Sequence, residues 1–374
     1  MLNVIELQIE FTAVGRLDLI PHGCKFLNSV NVHNPTIQPH SLGQKFVWLS
    51  WEVHRRNRSI SSLLGADLYE IGNNKSRLPR YILCTIKTIF LLCETTTRTK
   101  VFAQNPSVLL SLVSVVYGQL CNRTVVIDAH NIGVIFEHQI RMIRWIGQKT
   151  NNLIIKLATI IIVTNEELSS VIRQRGGLPF VLPDPLPVLQ PKEKKTLSGQ
   201  VNAIVICTFA NDEPYGAIFD AAKKLPRTTV IYFTGNHKKM GAPPDLSDNI
   251  IFTGYLDEQD YIDYLDSSDI VLDLTSRDSC LVCGAYEGMA LGKPLILSDT
   301  QALRGYFGEG ATYTKNYPDA IAEAIHKVSA NLKKATESVL KRRAEITQGY
   351  PEKLRNLEIL LSQYHSTSLQ VQEH

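Results

Sequence analysis

Residues 278–299 read DSCLVCGAYEGMALGKPLILSD. A helix is expected over about 284–291, with one carboxylate, Glu287, in its middle. Gly292-Lys293 then turns the chain into an apolar run, Pro294-Leu-Ile-Leu297. A short strand that is apolar at every position has both faces buried, which is the habit of parallel sheets covered by helices on each side. Cys280 and Cys283 raise the question of a metal. No second Cys-x-x-Cys and no His pair stands at metal spacing, so zinc is not expected.

The same strand–turn–helix unit recurs on both sides of this stretch. Upstream in the second half lie Ala203–Cys207, Thr229–Phe233, Ile250–Phe252 and Ile270–Leu272 as strands, with Ala311–Tyr313 downstream. Helices are expected near 215–224, 258–266 and 301–306, and a last helical region over about 318–364. The first half alternates in the same way. Its strands are Phe46–Leu49, Ala66–Ile71, Lys100–Ala103, Thr124–Asp128, Thr159–Thr164 and Phe180–Pro183, with helices near 78–93, 107–120, 134–157 and from Asn165 to Gly176. Between the halves, residues 184–200 (DPLPVLQPKEKKTLSGQ) are rich in Pro, Lys and Ser and read as a linker. The expected fold is α/β, with two doubly wound, Rossmann-like domains and a cleft between them. The boundaries follow: an N-terminal extension over 1–45 with no assignable element, a first domain over 46–190, and a second over 191–374 that keeps the terminal helices. In such sheets ligands sit at the carboxyl ends of the strands.

Length agrees, since 374 residues suit two domains better than one core. Net charge is only +3, but residues 1–190 carry 19 Lys and Arg against 12 Asp and Glu, and residues 191–374 carry 20 against 24. A basic half of this kind meets something anionic or merely reflects surface drift; charge alone leaves both readings open. The seven cysteines are scattered and mostly in apolar surroundings, as reduced buried thiols of a cytosolic protein would be. The first residues, MLNVIELQIEF, carry acids where a secretory leader needs bases. The most apolar windows, 81–92 and 107–120, are shorter than the ~20 residues a bilayer requires. A cytoplasmic protein is expected, with no nucleic-acid partner.

The order of pieces in the second half carries more. Phe233-Thr-Gly235 and Phe252-Thr-Gly254-Tyr255 each end a strand on a turn. Asp269-Ile-Val-Leu-Asp-Leu-Thr275 then leads into a loop, and Glu287-Gly-Met-Ala-Leu-Gly-Lys-Pro294 closes the unit. This resembles the donor-binding domain of retaining GT-B glycosyltransferases of glycosyltransferase family 4 (group 1), most specifically over about 200–310 and more weakly over 120–190. The resemblance implies transfer of a sugar from a nucleoside diphosphate-sugar to an acceptor hydroxyl with retention, on a glycan, a glycolipid or a polysaccharide precursor. It implies no cofactor beyond that co-substrate and no metal. A non-catalytic sugar-nucleotide-binding or scaffold protein, and a nucleotide-sugar epimerase on the same plan, remain the alternatives.

The residues support this reading physically. The loop Ser279-Cys-Leu281-Val282-Cys283 opens a helix whose first N–H groups and dipole suit a diphosphate. Glu287, one turn inside, offers two acceptor oxygens to a ribose diol, the role the resemblance implies. The family's second carboxylate, for the sugar, falls at Ser279, with Asp278 beside it. Gly254 and Tyr255 complete the expected donor-binding set. The family's phosphate-neutralising Arg and Lys are missing from the loop Thr208-Phe-Ala-Asn-Asp-Glu-Pro214, which is acidic. Arg277, Lys293, Arg55 and Arg56 are therefore the candidates for the phosphates or the acceptor. Asp128-Ala-His130 ends a strand of the first half, where the resemblance puts a His against the donor sugar. His130 is expected to face Glu287 across the cleft, with Asp128 orienting it or capping the next helix. Residues 134–157 mix Ile, Trp145 and Leu with Arg141, Arg144, Lys149 and Lys156. Such a helix either packs with a charged outer face or lies peripherally on the inner face of an anionic membrane, near a lipid-linked acceptor.

Overall fold

The computed structural model of the chain describes residues 45–72, 77–105, 107–241 and 246–370. The expected extension over 1–45 lies, but for Lys45, outside the described residues.

The first sheet is built from β1 (Lys45–Ser50), β2 (Asp67–Glu70), β3 (Thr99–Asn105), β4 (Val125–Ala129), β5 (Ile160–Val163) and β6 (Pro179–Val181), in the spatial order β2-β1-β3-β4-β5-β6. All pairs are parallel. Its inner strands β3, β4 and β5 are buried at every residue, which is why their centres are apolar, with polar residues only towards the ends of β3 and β4. Helices cover both faces. On one face α2 (Arg77–Cys93), α3 (Val108–Leu120), α5 (Arg141–Leu157) and α6 (Glu166–Gln174) close a core around Leu49, Val101, Ile127 and Ile161. On the other, α1 (Arg55–Leu63) packs over Trp48, Phe102 and Val126.

The second sheet contains β7 (Val201–Val205), β8 (Thr229–Thr234), β9 (Ile250–Gly254), β10 (Ile270–Asp273), β11 (Leu295–Ser298) and β12 (Thr312–Thr314), in the order β12-β11-β10-β7-β8-β9, again all parallel. This is the doubly wound order in which the strand direction of growth reverses beside the first strand, here between β7 and β10. Its helices are α7 (Tyr215–Ala222), α8 (Glu258–Ser267), α9 (Cys283–Ala290), α10 (Gln301–Phe307), α11 (Pro318–Ser329) and α12 (Leu332–Gln370). No regular element lies between β6 and β7, where the linker was expected.

Three details depart from the sequence reading. The helix expected over 134–157 is two pieces, α4 (Asn131–Val134) and α5, with extended backbone at Ile140. Gln148 holds the break open: its Oε1 accepts from Phe136 N at 3.1 Å, and its Nε2 donates to Val134 O at 3.3 Å. The Phe136 ring lies so close over Gly147 that a Cβ there would meet it at 2.4 Å. The region over 318–364 is also two helices, α11 and α12, joined at Ala330–Asn331. Finally, α12 crosses back. Tyr350, Leu354, Leu357 and Leu361 complete the core of the first sheet on the α1 face, so by packing these turns belong with the first half although they follow the second in sequence.

Candidate active site

The carboxyl ends of both sheets contribute loops to one cavity of about 830 Å³. Asn131, Ile135 and Glu137 line it from the segment after β4. Residues 210–212, after β7, and 276–279, after β10, line it from the other half. Three expected donor-site residues therefore face it: Arg277, Asp278 and Ser279. Asn165, the N-cap of α6, ties the halves together here by donating from Nδ2 to Ser279 O at 3.0 Å. Arg277 leans on Asp212, Nε to Oδ2 at 3.4 Å.

Glu287 is nearly buried on α9 and already holds two partners. Tyr261 Oη donates to Oε2 at 2.5 Å, and Arg55 Nη1 donates to Oε1 at 2.6 Å. Arg55 also donates through Nη2 to Glu258 Oε1 at 3.1 Å. Burial pushes the Tyr261 phenol well above its ordinary value, and the Glu287 charge adds to this, so the phenol keeps its proton. The group that meets Glu287 across the gap is thus Arg55, the first residue of α1, and not His130.

His130 stands at the end of β4 as the N-cap of α4, its ring 5.3 Å from that of His54. Its Nε2 is sealed from solvent and has no hydrogen-bond partner among the described residues. Burial lowers its pKa, with Asp128 opposing, so the imidazole is held neutral. Asp128 Oδ2 is 3.9 Å from that nitrogen, too far for a hydrogen bond. Asp128 therefore neither orients His130 through such a bond nor caps α4. It is fully buried against Arg56, accepting from Nε at 2.9 Å and from Nη2 at 2.7 Å. Arg56 also donates to Leu182 O at 2.9 Å and pairs with Asp184. Burial opposes its charge, but the two carboxylates win and raise its pKa further. With its guanidinium spent inside the fold, Arg56 is no longer a candidate for phosphate contact. Lys293 drops out too: it precedes β11, at the opposite edge of the sheet, and its ammonium bonds Asp266 O.

The first turn of α9 was expected to present open N–H groups. Asp273, the last residue of β10, accepts those of Gly284 and Ala285. Burial pushes the Asp273 carboxyl well above its ordinary value despite these donors, and Glu287 and Glu213 push the same way. Val282 is the buried N-cap of α9, Leu281 packs against the core, and Cys283 begins the helix. The acidic loop after β7 is likewise closed on itself. Glu213 accepts from Thr208 N at 2.9 Å, Thr208 Oγ1 at 2.9 Å and Ala210 N at 2.9 Å. A cation not foreseen, Lys239, reaches this loop and donates to Thr208 O at 3.0 Å. Gly254 ends β9 with φ +73°, its carbonyl accepting from Gly235 N at 3.0 Å, while Tyr255 projects into solvent at the sheet edge and does not line the cavity. Among the described residues no group of His, Cys, Asp and Glu is arranged to hold a metal.

Reading the sequence missed Tyr261, Asp273, Asp184 and Lys239. Asp273 had a signal, an acid inside an apolar strand run, and so had Asp184, an acid closing the strand-end Leu182-Pro-Asp. Tyr261 and Lys239 had none.

Residues 237–345 match the family model of glycosyl transferases group 1. That stretch contains Glu287, the loop 276–279 and Lys239. No curated protein matches the chain in sequence. Solved structures do match in shape. Sucrose-phosphate synthase from Thermosynechococcus elongatus superposes with a TM-score of 0.66 at 13% identity, covering 87% of this chain and 100% of the other. HepE from Anabaena in complex with UDP gives 0.62 at 12% identity, covering 86% and 100%. A putative UDP-N-acetylglucosamine 2-epimerase from Listeria monocytogenes gives 0.55 at 10% identity, covering 87% and 97%. At such identities the likeness speaks to the fold: the group 1 domain is the second half of a GT-B architecture, two Rossmann-like domains with the expected cleft.

Proposed function

We propose that this protein transfers a sugar from a nucleoside diphosphate donor to an acceptor hydroxyl, with retention and without a metal. The observation that carries the reading is Glu287. It lies inside the group 1 domain, and its two oxygens already hold two hydroxyl- or N–H-type donors side by side. A ribose diol offers two hydroxyls in the same relation and would replace Tyr261 and Arg55. Arg55, half exposed, is then free to turn to the diphosphate beside Lys239 and Arg277. Asp278 and Ser279 face the space for the sugar. His130, held neutral at the end of β4, stands one residue before Asn131 of the cavity wall and would meet the donor sugar from there. In the reaction the acceptor oxygen bonds to the anomeric carbon on the face from which the diphosphate leaves. The bond to the phosphate oxygen breaks with its electron pair, and that oxygen takes the acceptor's proton. The acceptor belongs to a glycan or a lipid-linked carrier, and no cofactor is needed beyond the donor. The protein works in the cytoplasm, in peripheral contact with the inner face of a membrane. No helix among the described residues is long and apolar enough to cross one.

Calorimetry with nucleoside diphosphates tests the site. Glu287→Ala should weaken binding by about 1.5–3 kcal/mol, the scale of hydrogen bonds to a charged group. Unchanged affinity with an intact thermal transition would end the assignment. Retention is read from the anomeric signals of the first product formed, and metal independence from turnover in chelator.

One observation favours a second reading, a sugar-nucleotide-binding protein without turnover. Where the resemblance implies two cations, Glu213 fills the loop after β7. Nucleotide-sugar binding without consumption in the presence of candidate acceptors would support it. Release of an epimerised sugar without acceptor would instead identify an epimerase.

A further inference from the structure

The helices α2, α3 and α5 form one outer layer on the first sheet, with α3 packed against both neighbours. Just over half of the exposed large hydrophobic side chains among the described residues sit on these three helices. They are ordered, not scattered. On α2, Ile82, Ile86 and Phe90 follow at four-residue spacing and face outward, while Thr88 is turned inward to accept a hydrogen bond from Trp51 Nε1 at 2.9 Å. On α5, Met142, Trp145 and Ile146 form a second outward stripe, and every residue from Arg141 to Ile146 is exposed. Exposed apolar side chains gathered to this extent on one layer of helices are unusual on a protein that meets only water.

The charges name the partner. Neither α2, α3 nor α5 contains an Asp or Glu. Arg77, Arg80 and Lys87 lie on α2, Arg80 paired with Glu52 at 3.5 Å, and Arg141, Arg144, Lys149 and Lys156 lie on α5. Arg141 and Arg144 interleave with the apolar stripe, and the Lys149 ammonium sits 5.8 Å from the Trp145 ring. A protein partner would need a matching acidic and apolar face. An anionic bilayer supplies both at once, with phosphate headgroups for the cations and acyl chains for Trp, Ile, Met and Phe.

We propose that the α2–α3–α5 face docks flat on an anionic membrane, with Phe90 and Trp145 entering the headgroup–acyl boundary. Docking rests on the peripheral membrane contact proposed above and names the face that makes it, but it does not depend on sugar transfer. Its consequence deepens the sugar-transfer reading. The exposed start of α5 is reached from Ile135 and Glu137, which line the cavity. A docked chain therefore opens its cleft beside the membrane surface, where a lipid-borne hydroxyl would arrive.

Tryptophan fluorescence of the full chain decides the matter. The chain has three tryptophans; Trp48 and Trp51 are buried and Trp145 is 63% exposed, so Trp145 alone reports on solvent. Without nucleotide, vesicles of phosphatidylglycerol should shift its emission to the blue, and brominated lipid should quench it. Vesicles of phosphatidylcholine should do neither. In co-sedimentation, Trp145→Glu and Phe90→Glu should each bind anionic vesicles at least tenfold more weakly with an unchanged thermal transition, and Arg141→Glu with Arg144→Glu should act likewise. No shift with phosphatidylglycerol at low salt overturns the proposal. So does iodide failing to quench Trp145 in the lipid-free chain, which would mean another part of the chain covers the face. So does a solution dimer that Trp145→Glu splits, which would make the partner a second copy. Each result stands whether or not calorimetry finds a nucleotide site.

Discussion

Arg55 and Arg56 begin the same helix and end on different carboxylates. Arg55 reaches Glu287 and Glu258 at the rim and remains 49% exposed, so it can be exchanged for a ligand. Arg56 is buried on Asp128 and Asp184, and removing it would leave carboxylates uncompensated inside the fold. That pair also sets the neighbourhood of His130, whose pKa is lowered mainly by burial. The sign follows. Above the ordinary value of 6.5 neither folded nor unfolded chain carries the proton. As pH falls below it, the unfolded chain gains the proton first, and stability is lost down to the folded pKa. The thermal midpoint should therefore fall as pH drops below about 6.5, and His130→Gln should flatten that limb. An identical pH slope in the variant would show that His130 is not the group responsible. If His130 meets the sugar, His130→Ala should also cut turnover by about 10²-fold while donor affinity stays within a few-fold.

At the scale of elements, the junction of β10 with α9 has no slack. A Cβ on Gly284 would lie 2.5 Å from Ile206 Cγ1 and 2.7 Å from Asp273 Oδ2. Glycine is required here by proximity, because the helix start is drawn down onto the strand end that caps it. Gly284→Ala should cost about 1–3 kcal/mol, the range for overpacking a closed site. It should weaken nucleotide binding as well, because Glu287 is one turn further along. Thermal unfolding and calorimetry on one preparation check both, and an unchanged midpoint would mean that the junction yields. The break between α4 and α5 is a second case. Hydrophobic spacing runs through 134–157 without interruption, yet Gln148 and Phe136 hold a loop there. A side chain twelve residues away settled what the local period left undecided.

For the whole molecule, α12 is the strap. It starts on the second half and ends in the core of the first, with Leu357 fully buried near Trp48. Leu357→Ala should destabilise the first half by about 2–5 kcal/mol, the cost of emptying a buried leucine site, read through the unfolding transition that the buried tryptophans report. No change would mean that the crossing contributes little. A fragment over 200–374 would leave Tyr350, Leu354, Leu357 and Leu361 uncovered, so weak nucleotide binding by it would not by itself locate the phosphate cations.

Much of the architecture was legible in the chain alone. Strands buried on both faces are apolar along most of their length, so Ile160–Val163 and Ile270–Leu272 announced two parallel sheets, and the spacing from Glu287 to Pro294 pointed to the region that the family match covers. These signals are local, set by burial and by the geometry of a single turn. Tertiary structure decided which charges meet. Arg55 and Glu287 are 232 positions apart, and nothing in their neighbourhoods distinguishes Arg55, which crosses the cleft, from Arg56, which is buried. Pairing across a cleft has no sequence period: it depends on how two sheets and a returning helix are packed, and that packing is the sum of contacts made all along the chain.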